Sequence, residues 1–175
     1  MLENLGNDIQ CSVFSIAEMQ YTGNGPVQKK NAKGLLKTDA GNKVTGCKLA
    51  YYAVQNVTAV FDNTLERIKD ASYTHSLAEG DGNRYWISTD RSIAVYGYRH
   101  RETKKRVYTI WKDDAIPGDD CEMTFLDFAF AGGGFEDPVL VDMITGSVYE
   151  IPAAQWSREG QLTGSGGSRF MMPRF

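Results

Sequence analysis

The sequence has few of the residues that build metal centres. Its two histidines, His75 and His100, stand far apart, and its three cysteines, Cys11, Cys47 and Cys121, form no close-spaced pattern. Protein zinc sites use cysteine and histidine at short spacings, so we predict no metal and no other cofactor. An odd number of cysteines leaves at least one thiol unpaired, and small buried or half-buried thiols are the simplest interpretation of all three.

An excess of basic residues and long apolar runs are missing as well. The chain of 175 residues has 19 lysines and arginines against 22 aspartates and glutamates, a net charge of -3. Nucleic-acid binding needs a basic face, and a membrane-spanning helix needs roughly 20 apolar residues, so we expect neither partner. The opening MLENLGNDIQ lacks the basic and apolar regions of a signal peptide. The localisation therefore stays open between a cytoplasmic protein and the cut end of an exported one.

Two stretches before residue 70 have helical periodicity. PVQKKNAKGLLK, residues 26–37, opens with a proline, which is favoured in a first helical turn. KLAYYAVQNVTAVFDNTLERIK, residues 48–69, repeats its apolar residues at helical spacing for about five turns. We therefore predict helices over both stretches, with Tyr52 and Phe61 in the core-facing stripe of the second.

After residue 70 the apolar residues follow a period of two, which is typical of strands. The segments richest in aromatic and β-branched residues are 84–89, 92–100, 106–112 and 123–131. DPVLVDMITGSVYEIP, residues 137–152, predicts a hairpin. In its turn Gly146 takes a positive φ, and Asp142 accepts hydrogen bonds from the turn's own amides.

Together these patterns predict a mainly β protein. We expect an antiparallel β-sandwich over residues 70–175, preceded by one or two α-helices in a segment over residues 1–69.

Two motifs resemble parts of known enzymes. KLAYYAVQNVTAVFD in the second predicted helix and DPVLVDMITGSVYEIP in the predicted hairpin are similar to the C-terminal part of certain clan A glycoside hydrolases. In those enzymes a catalytic (β/α)8 barrel ends in a helix of this type, and a small β-sandwich follows. The resemblance covers residues 45–155 and implies that residues 1–69 correspond to the end of a barrel. It also implies relatives that degrade polysaccharides and are typically exported.

The resemblance extends to a candidate catalytic residue. SVFSIAEMQY with the stretch 26–37 resembles barrel strand seven and its helix, which implies that Glu18 occupies the position of the nucleophile. Retaining hydrolysis needs a second carboxylate about 5 Å away, and in these enzymes barrel strand four supplies it. Nothing in the chain resembles strands one to six, and two of eight units cannot close a barrel. We therefore expect a non-catalytic, mainly structural module. An active fragment with Glu18 as nucleophile is an alternative.

Carbohydrate binding is a further alternative. Flat aromatic side chains stack on pyranose rings, and the predicted strands carry candidates for such a platform: Trp86, Tyr96, Tyr98 and Trp111. Packing within the sheet is the competing interpretation of the same rings. Under the binding alternative we expect an oligosaccharide partner.

A second copy of the chain is the other expected partner. On the family resemblance, a barrel covers residues 9–21 and one face of the 48–69 helix. In its absence a homodimer is the simplest cover.

Overall fold

A computed structural model describes residues 1–21, 29–78, 85–87, 93–112, 123–130, 134–162 and 171–173. Within these residues the chain is mainly β, with antiparallel strand pairs, few helices and no closed barrel. The predicted class, a mainly β antiparallel protein, is confirmed at this level. The chain forms two compact units, Met1–Asn63 with Val141–Val148, and Thr64–Leu140 with Tyr149–Phe175.

The first unit contains short helices and short antiparallel ribbons. β1 pairs with β2 and β3 with β4. In chain order the elements are α1 (Leu2–Gly6), β1 (Met19–Tyr21), β2 (Lys29–Asn31), β3 (Leu36–Thr38), β4 (Val44–Cys47) and α2 (Leu49–Val60). The turn between β3 and β4 follows from its sequence, because the Asp39 carboxylate accepts the amide hydrogens of Gly41 and Lys43, both at 2.9 Å.

The helix predicted over residues 26–37 is wrong where the structure describes it. Lys29–Asn31 and Leu36–Thr38 are strands, and a turn joins them. The turn contains Gly34, where a Cβ atom would lie 2.1 Å from the carbonyl carbon of Ala17. Only glycine permits this approach of two backbone segments, so the tertiary contact overrides a weak helical periodicity. The first three residues of the predicted helix lie outside the described residues.

The helix predicted over residues 48–69 is confirmed only in its first part. α2 ends at Val60, and Leu65–Ile68 forms the strand β5. Phe61 and the sequence DNT, residues 62–64, lie between them, and short polar side chains such as those of DNT compete with helix by bonding to nearby backbone. The apolar residues of β5 fit a helix or a strand equally well, and pairing with a later strand decides between them.

Most of the apolar stripe of α2 is not buried. Val57 is 6% exposed, whereas Leu49 is 63% and Tyr52 is 48% exposed. The prediction that Tyr52 is a core residue is therefore wrong, and Phe61, which follows the last helical residue, is only half-buried. Helical periodicity indicates a helix, but it does not show how much of the apolar face another element covers.

The second unit contains two antiparallel sheets. One has the order β5–β8–β9, and the other has the order β13–β10–β6–β7 with β14 also paired to β10. The strands are β6 (Tyr73–Ala78), β7 (Tyr85–Ile87), β8 (Ile93–His100), β9 (Arg106–Lys112), β10 (Met123–Phe130), β13 (Gln161–Leu162) and β14 (Met171–Pro173). All four strands predicted between residues 84 and 131 are present, although the ends of some lie outside the described residues.

Residues of both sheets share one core. Ile93 and Val95 of β8 are buried in the same cluster as Phe128 and Phe130 of β10. Tyr108 of β9 packs on this cluster, with its ring centroid 4.2 Å from that of Phe130. Alternate residues of a strand point to opposite faces, so the period of two in the sequence selects these side chains for the core.

The predicted hairpin is confirmed, with strands β11 (Val139–Val141) and β12 (Val148–Glu150). Gly146 has φ +76°, and Asp142 accepts the amide hydrogen of Ile144 at 2.9 Å and the hydroxyl hydrogen of Thr145 at 2.7 Å. Burial acts to raise the pKa of Asp142, but these hydrogen bonds outweigh it and the pKa lies below its ordinary value. Asp142 therefore has the structural role in the turn that the sequence predicts.

Candidate functional site

Glu18 is a buried carboxylate that lies between two lysines. Its side chain is 5% exposed, and the Nζ atoms of Lys30 and Lys48 lie 2.6 Å from Oε2 and 2.6 Å from Oε1, respectively. Oε2 also accepts the amide hydrogen of Thr38 at 3.3 Å. The Thr38 hydroxyl donates to the main-chain oxygen of Glu18 at 3.1 Å. Both oxygens of the carboxylate are therefore engaged, and we call Glu18, Lys30 and Lys48 the ion triad.

The members of the ion triad come from separate local structures. Glu18 directly precedes β1, Lys30 lies in β2, and Lys48 directly precedes α2. The Lys48 ammonium also donates to the main-chain oxygen of Ala32 at 2.6 Å, in the turn between β2 and β3. The carboxylate therefore joins segments that the chain order keeps apart.

The segment that ends at Glu18 runs parallel to the start of β3. Ala17 and Leu36 form a parallel bridge. The Glu18 amide donates to the Leu36 oxygen at 2.9 Å, and the Leu36 amide donates to the Ile16 oxygen at 2.9 Å. The close approach at Gly34 permits this pairing, so a glycine in the turn helps to place the carboxylate beside its lysines.

The triad determines the protonation state of Glu18. The ammonium group of Lys30, followed by that of Lys48, lowers the pKa of Glu18 to about 2, against the opposing effect of burial. The carboxylate is therefore ionised at neutral pH, which excludes the role of a general acid there. A nucleophile must be ionised as well, but it also needs an oxygen that can reach the substrate. In this arrangement ammonium and amide groups contact both oxygens.

The predicted aromatic residues fall on one sheet face where they are described. Tyr96, Tyr98 and Trp111 lie on the face of β8 and β9 opposite to Val95 and the core. The rings of Tyr96 and Trp111 are stacked, with centroids 5.5 Å apart and an interplanar angle of 28°. Both side chains are half-buried, whereas Tyr98 is 5% exposed. The side chain of Trp86 lies outside the described residues.

Sequence reasoning missed a cation on this aromatic face. The guanidinium carbon of Arg67 lies 4.8 Å from the ring centroid of Tyr96 and 5.6 Å from that of Tyr98. Its Nη1 donates to the oxygen of Gly97 at 2.9 Å and to the oxygen of Ile68. Arg67 is half-buried and stands opposite Tyr98 in the register of β5 and β8. The residue was missed because its segment was predicted to continue a helix.

The two motifs that carry the family resemblance contact each other. Asn56, from the helix motif, donates through Nδ2 to the main-chain oxygens of Met143 and Ile144 at 3.2 Å and 3.3 Å. A Cβ atom on Gly146 would lie 2.9 Å from Oδ1 of Asn56. The asparagine of one motif therefore binds the turn of the other, and the glycine leaves room for it.

Metal-binding groups are not assembled in the part of the chain that the structure describes, since no cluster of three or more His, Cys, Asp or Glu side chains occurs there. Cys11 is half-buried and Cys47 is exposed, and both are free thiols. The expectation of a buried or half-buried thiol is therefore wrong for Cys47, because the strand β4 that contains it is largely exposed. Cys121 lies outside the described residues.

No protein-family model, curated protein or solved structure matches this chain. Over the described residues, no helix has the length and apolar character needed to cross a membrane. The resemblance to clan A glycoside hydrolases and the roles of Glu18 and the aromatic residues therefore stay predictions.

Proposed function

We propose that the chain is a non-catalytic, mainly structural module of a glycoside-hydrolase-like protein. On this proposal residues 70–175 are a β-sandwich, and the preceding residues are a remnant of the end of a (β/α)8 barrel. The observation that carries the proposal is the ion triad, because a carboxylate with ammonium groups 2.6 Å from each oxygen stabilises structure and is poorly placed to attack a substrate.

The packing of the second unit supports a sandwich. A β-sandwich is two sheets whose inner faces form one core, with strands that alternate between inward and outward residues. Ile93 and Val95 come from one sheet, Phe128 and Phe130 come from the other, and all four belong to one buried cluster.

Strand direction in the first unit supports a barrel remnant. Neighbouring strands of a (β/α)8 barrel are parallel. The bridge between Ala17 and Leu36 is parallel, unlike the named strand pairs among the described residues. On the family resemblance the segment that ends at Glu18 corresponds to barrel strand seven, and the contact of Asn56 with the hairpin turn links the two resembling motifs.

Activity assays test the absence of catalysis. We expect no turnover of aryl glycosides or plant polysaccharides by the purified chain, and we expect Glu18→Gln to change stability and not activity. Glu66→Gln is a matched control, because Glu66 accepts a hydrogen bond from Arg99 in an exposed ion pair. Turnover by the wild type that Glu18→Gln abolishes and Glu66→Gln retains contradicts the proposal.

The aromatic face favours carbohydrate binding as a second candidate function. Tyr96 and Trp111 are stacked and half-buried on the face opposite to the core, with the Arg67 guanidinium beside Tyr96. Partly accessible aromatic rings with a polar group at the margin are the usual components of a sugar platform.

Affinity electrophoresis tests this second candidate. On this second candidate, gels that contain xylan, arabinan or galactan should retard the wild type with a Kd of roughly millimolar to micromolar. Trp111→Ala should remove the retardation. Tyr149→Ala is the control and should leave the retardation unchanged, because Tyr149 is an aromatic residue of β12 that is 53% exposed. Unretarded migration of the wild type in every gel contradicts carbohydrate binding and leaves the structural proposal standing.

A further inference from the structure

The segment before β1 exposes several large apolar side chains. Ile9 is 55%, Val13 is 39%, Phe14 is 67% and Ile16 is 70% exposed. We call residues 9–17, with the sequence IQCSVFSIA, the edge segment. Scattered single apolar residues are normal on a protein surface, but a concentration of this kind indicates an interaction site.

The edge segment pairs on one side only among the described residues. The main-chain groups of Ile16 and Glu18 bond to Leu36, at one edge. The Ser15 oxygen accepts the amide hydrogen of Leu35 at 3.1 Å on the same side, and the Ser15 hydroxyl donates to the Ala17 oxygen at 2.7 Å. These bonds hold the end of the segment in place, while the side chains of Phe14 and Ile16 stay exposed to another chain.

The charge pattern favours an identical partner. The edge segment contains no charged residue, and the next residue, Glu18, is buried and neutralised by Lys30 and Lys48. In a two-fold symmetric contact each residue near the axis meets its own copy or a close neighbour, so like charges there are unfavourable. An uncharged segment avoids that repulsion. It also provides no charged side chain with which a strongly charged partner could form an ion pair.

The exposed area also reaches the size that a dimer needs. If each side chain offers on the order of 150–200 Å², the four exposed residues leave roughly 400 Å² of apolar surface per copy. Because apolar atoms make up about 65% of homodimer interfaces, two copies would bury about 1,200 Å² in total, within the range of specific interfaces.

We propose that the edge segment is the contact surface of a homodimer, in which two copies pair residues 9–17 across a two-fold axis. In a two-fold contact the same surface of both copies meets, so the exposed side chains of Phe14 and Ile16 in one copy lie against the apolar side chains of the other. The proposal does not depend on the non-catalytic role of the ion triad.

Sedimentation equilibrium from micromolar to submillimolar concentration tests the proposal. We expect a reversible dimer for the wild type. The double substitution Phe14→Asp with Ile16→Asp should raise the dissociation constant at least tenfold, because it places charges opposite each other in an apolar contact. Val148→Asp is the matched control, since Val148 is 63% exposed in β12, and it should leave the dissociation constant unchanged.

A second measurement keeps the test independent of folding. Circular dichroism and the melting temperature of dilute samples should be alike in the wild type and the double variant, because both altered side chains are exposed. Amide hydrogen exchange within residues 13–17 should slow as the wild-type concentration rises, and it should not change with concentration in the double variant.

A wild type that stays monomeric overturns the proposal, as does a dimer that the double variant leaves intact. A monomer that binds a separately produced glycoside hydrolase barrel through this segment overturns it in favour of that partner.

Discussion

Glu18 has two ion pairs of different exposure. The Lys30 side chain is 42% exposed and the Lys48 side chain is 23% exposed, while the carboxylate that they share is almost fully buried. A buried carboxylate is stable only when its charge is compensated and its oxygens are hydrogen-bonded. The first requirement is met by the two ammonium groups and the second by the Thr38 amide. If Glu18 loses its charge, the ammonium groups of Lys30 and Lys48 stay close together without a compensating anion.

The lowered pKa makes stability depend on pH. The pKa of Glu18 is about 2 in the folded chain against an ordinary value of 4.5, so the ion triad stabilises the fold fully above pH 4.5. This contribution is lost as the pH falls from 4.5 through 2, because the folded carboxylate becomes protonated. We therefore expect Glu18→Gln to lower the free energy of unfolding at pH 7 and to lower it less at pH 3.

Urea denaturation at both pH values measures this difference. Glu66→Gln is the control, because its partner Arg99 forms an exposed pair that contributes about 0–1 kcal/mol. If Glu18→Gln lowers the free energy of unfolding by the same amount at pH 7 and at pH 3, the result is inconsistent with the lowered pKa of Glu18.

At the scale of elements, the hairpin turn is stabilised by hydrogen bonds among its own residues and by a side chain of α2. Asp142 accepts hydrogen bonds from Ile144 and Thr145, which organises the turn locally. Asn56 of α2 then donates to Met143 and Ile144, residues 87 and 88 positions further along the chain. The turn is therefore stabilised by hydrogen bonds among its own residues and by the side-chain amide of Asn56.

Substitutions at the turn separate these two contributions. Gly146→Ala should destabilise the protein by about 1–2 kcal/mol from the left-handed φ alone, and by more because the added Cβ contacts Asn56. Asn56→Ala should cost about 1–3 kcal/mol, since it leaves main-chain oxygens without this donor. The double variant should cost less than the sum of the two, because the contact between Asn56 and the new Cβ is absent.

Thermal or urea unfolding of the two single variants and the double variant gives these values. Strictly additive costs mean that Asn56 and a side chain at position 146 do not interact, which disagrees with the 2.9 Å between Asn56 Oδ1 and a Cβ atom at that position.

At the scale of the whole molecule, burial is unevenly distributed between the two units. The cluster around Phe128 and Phe130, which are 2% and 3% exposed, lies in the second unit. Among the described residues of the first unit, the buried side chains are one apolar group, Val57, and polar ones such as Glu18 and Thr38. The hydrophobic effect therefore stabilises the second unit more than the first, where polar contacts are prominent.

The core cluster should dominate stability. We expect Phe128→Ala to cost about 3–5 kcal/mol, because it removes a ring that is 2% exposed and leaves a cavity among packed side chains. Tyr149→Ala, which truncates a ring that is 53% exposed, should cost under about 1 kcal/mol. Equal losses for the two variants in urea unfolding would mean that the cluster is not the stabilising core.

Much of the second unit follows from the sequence because its signals are local. The period of two in residues 92–100 and 106–112 predicts the strands β8 and β9, and it also places Val95 and Tyr96 on opposite faces of the sheet. Gly146 and Asp142 predict the hairpin turn for the same reason, since a positive φ and a short polar side chain act within a few residues.

The ion triad and the aromatic face were decided by tertiary structure. Lys30 and Lys48 lie beside Glu18 only because β2, α2 and the turn at Gly34 meet there, and no local pattern encodes that meeting. Arg67 reaches Tyr96 only because its segment forms a strand paired with β8 and does not extend α2. Contacts between residues far apart in sequence depend on chain pairing, so the sequence determined which groups are present and the fold determined which of them meet.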